Sequence, residues 1–159
     1  MPETRFTFLY PGYVDVLNRG LLYNYCWGSI ERLGTATWYL NLAADATDEP
    51  LDGAQNYRLN VPANAPTSQF WSATTQSDMN GEYMDVVGRL SLASTDEGVV
   101  KNPDGSVDVY FGPTAPQGHE SNWVQTEPGK RWFIMFRFYG AKLAAFDKSW
   151  SMGDIETLN

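Results

Sequence analysis

Histidine and cysteine are nearly missing from this chain, which holds one of each, His119 and Cys26. A metal site needs several ligands at short spacing, and these two residues are far apart, so no metal is expected. A single cysteine excludes an internal disulfide; between Tyr25 and Trp27 it reads as a small buried hydrophobe. Positive charge is scarce as well. Eleven Lys and Arg stand against 19 Asp and Glu, for a net charge of −8. With no basic cluster, neither nucleic acid nor an anionic membrane surface is an expected partner. No apolar run reaches the roughly 18 residues of a membrane-spanning helix. The opening MPETRFTFLYPG lacks the basic region and apolar core of a signal peptide. The cytoplasm is therefore the default compartment, or the periplasm for a chain whose export signal was removed. Phosphate loop, dinucleotide fingerprint and nucleophile elbow are missing too, and no cofactor is expected.

What the chain does hold is aromatic: six Trp, nine Tyr and eight Phe, large side chains that suit pleated sheets. At 159 residues, 43% of them hydrophobic, it suffices for one well-buried domain. Residues 14–33, VDVLNRGLLYNYCWGSIERL, place apolar side chains at helical spacing and predict a helix that Gly34 caps. Leu17, Leu21 and Ile30 lie on one side and Val16, Tyr23 and Trp27 on the other. A helix apolar on two faces exceeds what one sheet covers, so it is expected to self-associate or to meet a partner.

After Gly34 the period changes to two. ATWYLNLAA and NYRLNVP alternate, SQFWSATT and the short GRLSLAS follow, and RWFIMFRFYG is apolar nearly throughout. The last of these predicts a central strand covered on both faces. Asp52-Gly53, Asn80-Gly81 and Pro103-Asp104-Gly105 are turns. The third is expected to close a hairpin between EGVVK and the alternating stretch 106–111, and the tail is expected to add an edge strand. The pattern predicts an all-β antiparallel sandwich over 35–159, preceded by an arm and an N-terminal α-helix over 1–34.

PLDGAQNYRLNVPANAPTSQFWSATT, NPDGSVDVYFGPTAPQGHESNWVQTEPGKRWFIMFRFYG and FDKSWSMGDIE occur in this order. With these motifs, residues 35–157 resemble unknown-function family 1214. That family usually forms the C-terminal domain of longer bacterial proteins whose N-terminal half is unknown-function family 1254. The resemblance implies a jelly-roll-like antiparallel β-sandwich and oligomeric assembly, and it implies no particular reaction. Residues 13–34 are similar to the helical segment joining the two halves.

The stretch Gly112–Lys130 reads as a long loop, and long loops on sandwiches often carry function. It brings Glu120, Asn122 and Trp123, while the next strand brings Arg137 and Tyr139. Arg137 shares its strand face with Phe133, Met135 and Tyr139, so it is expected to be buried and paired with an acidic side chain. Glu120 and Asp147 are candidates for a general acid and base, and Trp123 and Trp150 for a sugar-stacking shelf. Pairs of carboxylates are common, however, and aromatics beside strands are more often part of the core. The balance favours a binding or assembly module: a homo-oligomer or the companion of a missing N-terminal-type domain, with a small polar ligand as a further partner. A hydrolase or lyase acting on a small polar substrate and a lectin-like carbohydrate binder are the alternatives.

Overall fold

The computed structural model describes residues 9–10, 13–14, 37–147 and 149–158. The chain divides into two units, Met1–Glu31 and Arg32–Asn159. In the first, β1 (Leu9–Tyr10) and β2 (Tyr13–Val14) form an antiparallel ladder, with Leu9 opposite Val14. Val14, expected to open a helix, is therefore a strand residue. Pro11-Gly12, a turn-forming pair, separates the two strands in sequence. The rest of the predicted helix, 15–33, lies outside the described residues.

The described part of the second unit is mostly β. One sheet has the order β10-β4-β7-β8 and the other β3-β9-β5-β6. The first is built from β4 (Asn56–Val61), β7 (Val107–Gly112), β8 (Trp123–Gln125) and β10 (Glu156–Leu158). The second holds β3 (Thr37–Leu42), β5 (Thr67–Ser77), β6 (Ser91–Ala93) and β9 (Trp132–Ala141). The alternation seen in the sequence sets their inner faces. Tyr57, Leu59 and Val61 of β4 and Val107, Val109 and Phe111 of β7 are buried, and Trp71 and Ala73 of β5 meet them with Ile134, Phe136 and Phe138 of β9. As the apolar run predicted, β9 is central, with β3 on one side and β5 on the other.

Aromatic contacts hold the two layers together. Trp132 of β9 lies 5.3 Å from Phe111 and 5.8 Å from Tyr57 of the facing sheet, while Trp71 stacks on Phe136 of its own sheet at 5.3 Å. Each such pair adds about 0.5–1.5 kcal/mol beyond the area it buries.

Two expectations fail. One pairing, β7 with β8, is parallel. After Gly112 the chain returns through residues 113–119 and a 3-10 turn, Glu120–Asn122, so β8 starts beside Tyr110 and runs the same way as β7. The stretch read as a long loop thus contains a strand. The second failure concerns EGVVK, which forms no strand. Its turn exists, with Asn102 N–H donating to the Ser106 carbonyl at 2.8 Å and Gly105 at φ +85°. Both edges of β7 are already taken by β4 and β8, however, so no ladder position remains for residues 97–101.

Candidate functional site

The residues singled out in the sequence fall in three separate places. Glu120, Asn122 and Trp123 stand at the β8 edge. Arg137 and Tyr139 lie on the outer face of the other sheet. Asp147 and Trp150 belong to the connection after β9.

At the first place Asn122 is buried and its amide is fully used. Its Oδ1 accepts from Val100 N–H at 2.9 Å, and its Nδ2 donates to the carbonyls of Val100 (2.7 Å) and Asp108 (3.0 Å). The side chain thus supplies the strand-like partner that residues 97–101 lack, which is a structural duty. Trp123 is half-buried and donates its indole N–H to the Gly112 carbonyl at 3.1 Å. Glu120 is exposed. Its own amide, and then Gly118 N–H at 3.0 Å, hold its carboxyl below the ordinary range.

At the second place Arg137 is only half-buried. Its Nη1 donates to the Thr74 hydroxyl at 2.6 Å, and no carboxylate among the described residues pairs with it. Its strand neighbours explain this: Tyr39 and Ser72 lie opposite it in the ladder, and neither is acidic. Tyr139 stacks on Phe70 at 4.1 Å. At the third place Trp150 packs edge-on against Phe138 at 5.5 Å, as part of the core wall. Asp147 is exposed, and the hydroxyl and amide of Ser149 lower its pKa.

A general acid needs a carboxyl raised towards neutrality, whereas both Glu120 and Asp147 are lowered by local hydrogen bonds. Trp123 sits beside Tyr110 on the outer face of its sheet, while Trp150 packs between the layers against Phe138, so the two share no shelf.

Among the described residues, a concave feature with uncommitted polar groups lies elsewhere. At one end of the sandwich β4 stops at Val61 and β5 starts at Thr67, while β6 stops at Ala93 and β7 starts at Val107. Between these ends lies a cleft of about 320 Å³, at the small end of the ~300–1,000 Å³ usual for ligand sites. Val61, Val107 and Trp71 contribute its apolar lining, and Trp71 is fixed by its stacking on Phe136. Ser94 is tied to the same strand: its Oγ accepts from Trp71 N–H at 3.2 Å and its N–H donates to the Trp71 carbonyl at 2.9 Å.

Asn64, Gln69, Thr95 and Lys101 line the cleft with exposed polar groups. The Pro62–Ala65 turn sets one wall, with Asn64 at φ +60°, a conformation asparagine tolerates better than most residues. Gly105 faces that wall. A Cβ there would come within 3.3 Å of the Ala63 methyl and would need a strained φ of +85°. Among the described residues, no group of three His, Cys, Asp or Glu stands close enough to hold a metal ion. No helix among them is long and apolar enough to cross a membrane.

A family model described as a protein of unknown function, DUF1214, matches residues 36–143. The chain belongs to the DUF1214 family. Among solved structures, this DUF1214 chain is similar to the VPA0106 protein of Vibrio parahaemolyticus, at 23% identity and a TM-score of 0.69. The match covers 91% of this chain and 35% of that one, so the chain spans about a third of that relative's length. At this identity the likeness shows a shared fold. A second match, an uncharacterised protein from Burkholderia cenocepacia, has 20% identity and a TM-score of 0.43 over 91% of this chain and 43% of that one. No curated protein matches the chain.

The cleft lies wholly inside the DUF1214 match, whereas Asp147 and Trp150 lie beyond it. Sequence reasoning passed over Asn64, Thr95 and Lys101. A signal was present, in that Pro62 and Pro66 bracket a short loop containing Asn, the composition of a rigid turn.

Proposed function

We propose that the DUF1214 domain is a binding module which holds a small polar ligand in the end cleft of a jelly-roll-like sandwich. The carrying observation is the contrast between the cleft and the rest of the site candidates. Asn122 and Trp123 spend their polar atoms on the backbone, while Asn64, Gln69, Thr95 and Lys101 converge on one cleft with theirs exposed. A rigid apolar lining with a few convergent polar groups is the usual form of a small-molecule site. No raised carboxyl stands in the cleft lining, which supports binding over acid–base catalysis.

Calorimetric titration of the purified chain with a panel of sugars, sugar acids and small organic acids tests this, with Thr95→Trp as the blocked control. Thr95 is exposed, so the larger side chain fills cleft space without disturbing the core. Binding that Thr95→Trp abolishes supports the reading. Binding unchanged by Thr95→Trp, or no binding across the panel, overturns it.

Assembly is the second part of the proposal. The segment 14–33 carries Leu17, Leu21 and Ile30 together with Val16, Tyr23 and Trp27, an apolar surplus that a second copy or an N-terminal-type domain would cover. Light scattering from micromolar to submillimolar concentration should show a closed oligomer, and Tyr23→Ser with Trp27→Ser should weaken it. A monomer at every concentration refutes self-association.

A further inference from the structure

We infer that the ligand of the end cleft is an anion, a small hydroxylated carboxylate; this rests on the binding reading above. The chain has 19 acidic residues against 11 basic ones, yet its cleft is lined by no Asp or Glu and by one cation, Lys101. The ammonium of Lys101 forms no ion pair among the described residues. Asp96, Glu97, Asp104 and Asp108 neighbour lining residues in sequence but do not line the cleft, and Asp108 accepts from the side-chain amides of Asn60 and Asn102. Asp96 Oδ2 accepts from Ala93 N–H at 2.9 Å. Asp104 Oδ1 accepts from the amide and hydroxyl of Ser106 at 2.9 and 2.7 Å.

The opposite wall adds donors. Ala63 and Asn64 are the central residues of the Pro62–Ala65 turn, and their amides donate to no other described group. A concave lining with one unpaired cation, unpaired turn amides and no carboxylate leaves contact positions for a bound anion. Lys101 takes the carboxylate by a charge-assisted hydrogen bond. The hydroxyl and amide groups of Thr95, Gln69 and Asn64 suit a ligand bearing several hydroxyls, and the apolar lining of Val61, Val107 and Trp71 suits its carbon skeleton. The volume, about 320 Å³, fits a molecule of sugar-acid size better than an oligosaccharide.

The experiment uses galacturonate, galactose and inorganic phosphate as calorimetric probes on the full chain, with Lys101→Met and Thr95→Trp. Lys101 is exposed, so its replacement should leave the fold intact, which circular dichroism checks. Galacturonate should bind about tenfold or more tightly than galactose, and added salt should weaken it. Lys101→Met should remove that preference, bringing galacturonate affinity down to that of galactose. Phosphate should bind more weakly than galacturonate, since it offers the cleft no carbon skeleton. Equal binding of galactose and galacturonate that Thr95→Trp abolishes would overturn the anion inference and leave the binding module standing. Phosphate binding as tight as galacturonate would overturn the carboxylate class in favour of a bare anion. No binding of any probe would overturn both readings.

Discussion

Replacing Asn122 should cost stability well beyond its three-residue turn, because this one side chain closes a gap in the β7 layer. Asn122 is 4% exposed and makes three hydrogen bonds, to Val100 N–H, Val100 C=O and Asp108 C=O. Each is worth about 0.5–1.5 kcal/mol net. Val100 is exposed, so water can replace part of what is lost. Asn122→Ala should therefore cost about 2–3 kcal/mol, a fall of about 5–10 °C in Tm for a chain of this size.

Asn122→Asp is the sharper test. It keeps shape and volume but turns the donating nitrogen into an oxygen that faces two carbonyls. At neutral pH it should be less stable than Asn122→Ala, since a buried charge is added to the lost bonds. The new carboxyl would have its folded pKa raised above the unfolded value. Its destabilisation relative to the parent should therefore shrink as pH falls through that raised pKa, when protonation restores one donor. Urea denaturation at several pH values reads both effects, with m checked for constancy. A loss below about 1 kcal/mol for Asn122→Ala, or an Asn122→Asp deficit that does not change with pH, would refute this account.

Gly53→Ala should destabilise by about 2–4 kcal/mol, because a Cβ there would sit 2.0 Å from the Glu127 carbonyl oxygen and 3.1 Å from that of Lys130. Calorimetry showing a change below about 0.5 kcal/mol would mean that the backbone yields easily. Asp45 is held down to about 2 by the hydroxyl and amide of Thr47 and the hydroxyl of Thr157. Its contribution is present above the unfolded carboxyl pKa and is lost as pH falls from about 4 to about 2. Asp45→Asn should flatten that part of the acid unfolding curve, and a curve of unchanged slope would show the carboxylate to be a bystander. The Arg58–Glu156 ion pair is 2.5 Å long, but its side chains are 40% and 57% exposed. Glu156→Gln should cost no more than about 1 kcal/mol and less in high salt; a larger, salt-independent loss in urea melts would indicate a desolvated pair.

Much of the strand layout was legible because side-chain alternation is a local property. NYRLNVP, SQFWSATT and RWFIMFRFYG became β4, β5 and β9, with Leu59, Trp71 and Phe136 among the side chains turned inward, and the tail ended as the edge strand β10. Turn chemistry was equally local, so Gly81 and Gly105 take the positive φ that their dipeptides announce. Pairing is not local. Nothing in EGVVK says that β4 and β8 will occupy both edges of its intended partner, or that Asn122 will grip Val100 instead.

The candidate site shows the same divide. Glu120, Arg137 and Asp147 are residue types that chemistry uses, and the sequence alone determined that they are present while His and Cys are nearly missing. Only the tertiary structure decided that they stand apart. The cleft exists because β4 and β6 end where β5 and β7 begin, which brings the 62–66 turn opposite Ser94, Thr95 and Lys101. That convergence depends on register between strands far apart in the chain, and residue order carries side-chain period but not register.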